Sequence, residues 1–399
     1  MVSVGIDVSK GKSTICIMKP YGEIIFRPFE IQHNEKELSE LLSIIKTIDD
    51  EVKVIMEATG IYHLPMLTYL QKNGIFVSVI NPFRMKKFRT QSIRKGKTDK
   101  LDAITISNYG IEHWYALENY IGLKDSYEEL KLLEQQYRHY MRLHVASLQS
   151  LTHLLDFTMP GIKELLNAFD KYNGRHKLGD FVEKYWHFEL IKCKTREEFI
   201  KEYNEWANEM KYQPSQEKAN KIYDLAISGI SSLPMSRGSF KTIILEAVRV
   251  LKEIDSTLFN ILSQMRDIAT NLPEYAVVRE MGGVGDVLAT KLIAEIGDVR
   301  RFHSGSALIA YAGIDAPPYQ SGKYFAVNRK ISKRGSASLR KVGYETMKSL
   351  KTHKYKDDAV YNFIIKKELE GKPKKVAKIA GLNKFLKIYY ARVKEIYNH

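Results

Sequence analysis

The chain has 399 residues, 44% apolar and 27% charged, and its 62 basic side chains outnumber 47 acidic ones to give a net charge of +15. That apolar content fills ordinary cores and excludes a disordered tail protein, and the length suits two or three domains. No apolar run reaches the roughly 18 residues of a membrane span, "MVSVGIDVSKGK" lacks the features of a secretory signal, and two distant cysteines, Cys16 and Cys193, exclude a disulfide framework or a cysteine zinc site. A cytoplasmic protein without a membrane partner is expected.

Residues 2–9, 13–18 and 23–31 read as three strands, with turns at Gly11-Lys12 and Tyr21-Gly22. A helix follows in "NEKELSELLSIIKTIDD", with Leu38, Leu41, Leu42 and Ile45 on one face. "VKVIMEATG" is a buried strand ending at Glu57, Leu64 to Lys72 a helix stopped by Gly74, and "IFVSVINP" a further strand. The order βββαβαβ predicts a mixed sheet with helices packed on it, of the ribonuclease H type.

Next comes "FRMKKFRTQSIRKGK", whose Arg84, Lys86, Lys87, Arg89, Arg94, Lys95 and Lys97 have no acid among them. This stretch is suited to backbone phosphates. Phe83 and Phe88 are expected to pack on the sheet rather than stack a base. "KTDKLDA" then sets Asp99 and Asp102 three residues apart, on one face of a helix.

"DSYEELKLLEQQYRHYMRLHVASLQSLTHLLD" opens with Ser126 and Glu129 in capping-box spacing. Its stripe of Leu130, Leu133, Tyr137, Tyr140, Met141, His144, Leu148, Leu151 and Leu155 predicts a long helix, in a coiled coil or an intramolecular hairpin. Residues 159–235 are aromatic, helical in pattern and without evident chemistry. A second long helix spans about 238–271 and is able to pack antiparallel on the first.

A terminal domain begins near Pro273. "VVREMGGVGDVLATKLIAEIGD" is similar to a helix-hairpin-helix element, whose turn at Gly283 and Gly285 suits a DNA phosphate. "YAGIDAPPYQSGKY" reads as a loop or hairpin, "ISKRGSASLRKVGYETM" as a basic loop entering a helix, and the tail as helix broken at Gly371–Pro373. From Lys323 to His399 there are 21 basic and 6 acidic residues, an excess equal to the whole net charge. A surface so one-sided fits a polyanion, and nucleic acid above others.

Asp7 on the first strand, Glu57 at the end of another, and Asp99 and Asp102 on a helix are placed to converge in such a sheet. Four gathered carboxylates repel unless cations compensate them. Two Mg²⁺ or Mn²⁺ ions roughly 3.5–4 Å apart would do so and clamp a phosphate. Singly, each acid has a plainer reading: Asp7 as a turn residue or a kinase-type phosphate contact, Glu57 as an exposed strand end, Asp99 in a solvated helix start after Thr98.

"GIDVSK", "EATG" and "KTDKLDA", in this order and spacing, resemble the DEDD-type insertion-sequence transposases with a RuvC-like N-terminal domain, a group that includes the Piv DNA invertases. "GGVG", "PPYQSGK" and "ISKRG" resemble that family's C-terminal transposase domain. The resemblance implies three parts: a RuvC-like metal-binding domain over 1–115, a helical coiled-coil region over 116–272, and a basic catalytic domain over 273–399. It implies that Asp7, Glu57, Asp99 and Asp102 are the catalytic, metal-holding acids. It also implies a nucleophilic serine, which falls on Ser321; Gln320 stands where the family commonly has a second serine, and Ser332 is the runner-up. Gly322 would allow close backbone approach to a phosphate, and Arg329, Lys330, Lys333 and Arg334 would hold the scissile one. The implied activity is DNA cleavage and rejoining through a covalent phosphoserine. The implied partners are donor and target DNA, a structured noncoding guide RNA and further copies of the chain, as a dimer or tetramer. A metal-dependent junction resolvase or nuclease, and a noncatalytic nucleic-acid-binding scaffold, are the rival readings.

Overall fold

The computed structural model describes residues 1–90, 98–120, 122, 125–166, 169–170, 174–317, 320–321, 324–325 and 330–398. The chain divides into two compact units, Met1–Gly122 and Leu123–His399. Four of the expected phosphate contacts, Arg94, Lys95, Lys97 and Arg329, together with Gly322, lie outside the described residues.

In the first unit β1 (Val2–Ser9), β2 (Lys12–Met18) and β3 (Ile24–Gln32) form an antiparallel meander. Gly11 and the Tyr21-Gly22 pair make the turns with positive φ. Then come α1 (Glu35–Lys46), β4 (Val52–Glu57), α2 (Leu64–Lys72), β5 (Val77–Ile80), α3 (Pro82–Arg89) and α4 (Asp99–Glu112). β4 joins β1 in parallel and β5 joins β4 in parallel, so the sheet runs β3-β2-β1-β4-β5. The parallel pairs need crossovers, which α1 and α2 supply. This is the mixed sheet expected, with the strand order of the ribonuclease H type.

Alternation along β1 decides what each face of the sheet does. Val2, Val4, Ile6 and Val8 share a core with Leu38, Leu41 and Ile45 of α1 and Met66, Leu67 and Leu70 of α2. Successive strand side chains point to opposite faces. Ser3, Gly5 and Asp7 therefore face the other way, toward α4. Asn34 caps α1 by accepting from Glu37 N at 2.9 Å.

The second unit begins with α5 (Asp125–Thr158), α6 (Ile162–Leu166), and the two-residue strands β6 (Phe169–Asp170) and β7 (Arg175–His176). α7 (Lys177–Lys184), α8 (Glu189–Lys192), α9 (Arg196–Glu209) and α10 (Gln216–Ser228) follow, and α11 (Gly238–Thr270) returns along α5. The pair is antiparallel: Leu130 and Tyr137 share a core with Leu258, Leu262 and Met265, whereas Leu151 and Leu155 share one with Ile244, Val248 and Leu251. His144 and the fully buried Asp255 hydrogen-bond near the middle. Ser126, the expected cap, lies within the described part of α5, next to the acids Asp125 and Glu128. The aromatic residues 181, 185, 199, 203 and 206 build the core of the intervening helices.

α12 (Tyr275–Arg279), α13 (Asp286–Ile296) and α14 (Gly305–Ala312) lead to the hairpin β8 (Gln320–Ser321) and β9 (Tyr324–Phe325). α15 (Ala337–His353), α16 (Ala359–Leu369) and α17 (Lys374–Ile396) complete the unit, with the break at Gly371–Pro373 as expected. No helix among the described residues is long and apolar enough to cross a membrane.

Candidate functional site

Two glycines let α4 lie directly on the sheet. A Cβ on Gly5 would stand 2.3 Å from Ser107 N and 2.5 Å from Ala103 O. A Cβ on Gly110 would stand 2.3 Å from Ser3 Oγ. Ser107 Oγ also donates to Ser3 O at 2.8 Å, fixing the helix along the strand. Ala103, Ser107 and Gly110 recur at helical spacing, so one small-residue face meets Ser3 and Gly5. The same face continues to Asp99 and Asp102 in the first turn, beside Asp7, the next β1 residue on that side. Thr98 caps this turn by accepting from Leu101 N at 3.2 Å.

Glu57 completes the set. Ile6 of β1 pairs with Met56 of β4, so Asp7 and Glu57 stand at the same level on adjacent parallel strands. The four acids named from sequence thus gather at one end of the sheet. Arg89, the last residue of α3, stands among them. Its Nη2 lies 2.9 Å from Glu57 Oε2 and its Nε 3.3 Å from Asp102 Oδ1. The Glu57 and Asp102 side chains are 15% and 13% exposed, while Asp99 opens to solvent.

The electrostatics follow from the count of charges. Burial, then Asp102 and Asp99, push the Asp7 carboxyl up from 3.8 to about 6, with Arg89 acting in the opposite sense. One guanidinium does not balance four carboxylates. The all-oxygen donor set and its residual negative charge fit a hard divalent cation. As placed, however, no three Asp, Glu, His or Cys side chains among the described residues are close enough to ligate one ion. Two of the four acids are turned to Arg89 instead.

Arg84, Lys86 and Lys87 are exposed on α3, as a phosphate-binding face requires. Arg89 corrects the expectation of seven cations without a counter-charge: its acids come from β4 and α4, remote in sequence. Phe83 corrects another, being 56% exposed rather than packed on the sheet. Phe88 does pack, edge-on to Tyr109 at 5.1 Å and to His113 at 5.8 Å.

In the second unit, α12, a Gly-Gly-Val-Gly turn and α13 follow one another where the helix-hairpin-helix-like element is expected. Gly283 has φ +77°, and a Cβ would meet Leu350 N at 2.7 Å, so this glycine serves the packing of the turn on α15. Gly285 precedes α13, and a Cβ there would meet no atom of the described residues within 4 Å. Ser321 pairs with Tyr324 in the β8–β9 hairpin. The base of this segment is closed by Ser332 N donating to Asp315 O at 2.8 Å and Lys333 N to Gly313 O at 3.0 Å. The Ser332 hydroxyl is engaged with the Asp315 carboxylate. Lys330, Lys333 and Arg334 are exposed beyond it.

Sequence reasoning missed the roles of Gly5, Ser107, Gly110 and Arg89. A signal for the first three was present: a glycine two residues before Asp7, and small residues at spacings of four and three on α4. Arg89 had no local signal.

Comparison with known proteins adds two family matches. The DEDD transposase family of IS110 type matches residues 4–160, and the transposase IS116/IS110/IS902 family matches residues 275–362. The insertion element IS116 uncharacterized 44.8 kDa protein of Streptomyces clavuligerus is 21% identical over 322 residues, covering 80% of this chain and 77% of that protein. Among solved structures, T. thermophilus RuvC in complex with a Holliday junction substrate aligns over 29% of this chain and 96% of that one, at 13% identity and a TM-score of 0.22.

Proposed function

The chain belongs to the IS116/IS110/IS902 family of transposases, and from that premise we propose that it cuts and rejoins DNA through a covalent phosphoserine at Ser321, with divalent ions held by Asp7, Glu57, Asp99 and Asp102. The observation that carries the reading is the gathering of these four acids at one end of the β1–β4 sheet.

In this reading Asp7, Glu57, Asp99 and Asp102 hold Mg²⁺ or Mn²⁺ through carboxylate oxygens. Bound ions would supply Lewis acidity and charge neutralisation at a DNA phosphate. Arg84, Lys86 and Lys87 take backbone phosphates and orient the strand toward the acids. Ser321 Oγ attacks phosphorus, forming a Ser–O–P bond as a P–O bond to the DNA breaks. The serine proton leaves for a base and the departing DNA oxygen takes up a proton, so a free hydroxyl and a phosphoserine result. Attack by a DNA hydroxyl reverses the step on another strand and restores the serine. The phosphodiester energy is stored throughout, so no nucleotide cofactor is consumed. Lys330, Lys333 and Arg334, with Arg329, neutralise the charge on the transferring phosphate, and Gly285 offers an open turn for a flanking one.

The sequence choice belongs, in the same reading, to a structured noncoding RNA that pairs with donor and target DNA, and the chain acts as a dimer or tetramer. The concentrated basic surplus supports this, because phosphate contacts bind without reading bases.

The test incubates the full-length protein and its co-purified RNA with DNA carrying the element's junctions, and resolves the products on a denaturing gel. A labelled protein–DNA adduct is expected, lost in Ser321→Ala, in Asp102→Asn and with a chelator. Cleavage without an adduct that persists in Ser321→Ala would instead establish a hydrolytic nuclease. Activity indifferent to Asp102→Asn and to chelation would overturn the metal reading.

A further inference from the structure

Arg89 touches the same oxygens that a divalent ion would need. Its Nη2 lies 2.9 Å from Glu57 Oε2 and its Nε 3.3 Å from Asp102 Oδ1, so one guanidinium joins an acid of β4 to an acid of α4. The second contact is ionic rather than directional: buried Arg89 Nε makes no well-formed hydrogen bond among the described residues. The helix that carries it is held by buried Met85 and by Phe88 on Tyr109 and His113, while Arg89 is its last residue.

We propose that Arg89 is a resident counter-cation, which holds Glu57 and Asp102 together before a divalent ion binds and yields its place when one does. The inference rests on the reading that the acids take divalent ions, and it adds a competitor built into the chain.

The physical reasons are three. A carboxylate lone pair given to Arg89 is withdrawn from an incoming ion. Two cations a few ångströms apart in a half-buried site repel, so simultaneous occupancy is disfavoured. And the Arg89 side chain, 29% exposed at the end of α3, is able to swing aside while Met85 and Phe88 stay packed. Once displaced, the planar fork stands beside the ions, where a bidentate contact to a DNA phosphate is open to it. Arg89 is then a positioning residue before metal binding and a phosphate contact after it. An arginine that merely braced the acids as ligands would have the opposite effect on affinity, because its loss would loosen them.

The experiment measures Mn²⁺ binding to the full-length protein from the free-ion signal in electron paramagnetic resonance, for wild type, Arg89→Gln, Arg89→Lys and Glu57→Gln. Melting temperature without metal is recorded alongside. Arg89→Gln is expected to bind Mn²⁺ about tenfold more tightly and to melt below wild type when metal-free, since the acids lose the cation that bridges them. Arg89→Lys keeps the charge but loses the fork; it is expected to bind more tightly by a smaller factor, and it carries the test if Arg89→Gln does not fold. Wild-type binding that is lost in Glu57→Gln yet is unchanged or weakened in both Arg89 variants overturns this inference and leaves the metal reading standing. No Mn²⁺ binding by wild type or by either Arg89 variant, or binding untouched by Glu57→Gln, overturns both.

Discussion

Gly5 and Ser107 meet backbone to backbone, with room for a hydrogen on the Gly5 α-carbon and for nothing larger: a Cβ would lie 2.3 Å from Ser107 N. This contact sets the height of α4 on β1 and with it the reach of Asp99 and Asp102 toward Asp7. Gly5→Ala is expected to lift the helix, at a cost of about 1–3 kcal/mol for an overpacked contact. Thermal denaturation reads the loss of stability, and Mn²⁺ binding falls in the variant that remains folded. Ser107→Gly, which removes the hydrogen bond to Ser3 without adding bulk, should cost less and leave the acids in place.

Asp7 gives a pH dependence whose sign is fixed. Its carboxyl is held at about 6, above the ordinary 3.8. The folded state therefore binds the proton more tightly than the unfolded chain. The associated stability is complete below pH 4 and is lost as pH rises through 6. Asp7→Asn carries no such proton. Without metal, the variant and wild type should differ least in melting temperature near pH 4, and the variant should melt progressively higher than wild type up to pH 7.5. Calorimetry across that range checks it. Strand cleavage is expected to be lost in the same variant, since stability and chemistry oppose each other at this position.

How far the sequence discloses this site depends on the range of the interactions. Val2, Val4, Ile6 and Val8 alternate, and that local period places Asp7 on the opposite face from the α1 and α2 core. The helix 64–72 and the end of β4 at Glu57 follow equally from local pattern. The Arg89 pairing does not, because Glu57 and Asp102 lie in other elements and the local stretch holds no acid. Nor does the exposure of Phe83, whose apolar character says nothing of which way α3 is turned. Gly283 is legible as a turn glycine, but its contact with Leu350, far along the chain, is a tertiary fact. Ser321 rests on a motif resemblance alone.

Asp315 and Ser332 join the two ends of the segment that carries Ser321, by the Ser332 N to Asp315 O bond of 2.8 Å and by the hydroxyl–carboxylate contact. Asp315→Asn keeps the size of the side chain and weakens this charge-assisted bond. It is expected to reduce adduct formation roughly tenfold while shifting stability by less than about 1 kcal/mol. Single-turnover kinetics on the denaturing gel, with a melting curve as control, measure the two separately. An equal fall in both would make the pair structural only.

The His144–Asp255 hydrogen bond ties α5 to α11 inside their shared core. His144→Ala removes a partner from an Asp255 side chain that is wholly buried. A loss of about 2–4 kcal/mol is expected, read as a lower denaturation midpoint. His144→Gln, able to donate in the same place, should recover part of it.

The most direct measurement is anomalous diffraction from crystals of the full-length protein grown with Mn²⁺. The account predicts a strong manganese peak within ligand distance of Asp7, with oxygens of Glu57 or Asp102 turned to it and Arg89 withdrawn. Crystals that hold manganese elsewhere, or none, while Arg89 still bridges Glu57 and Asp102, would contradict it.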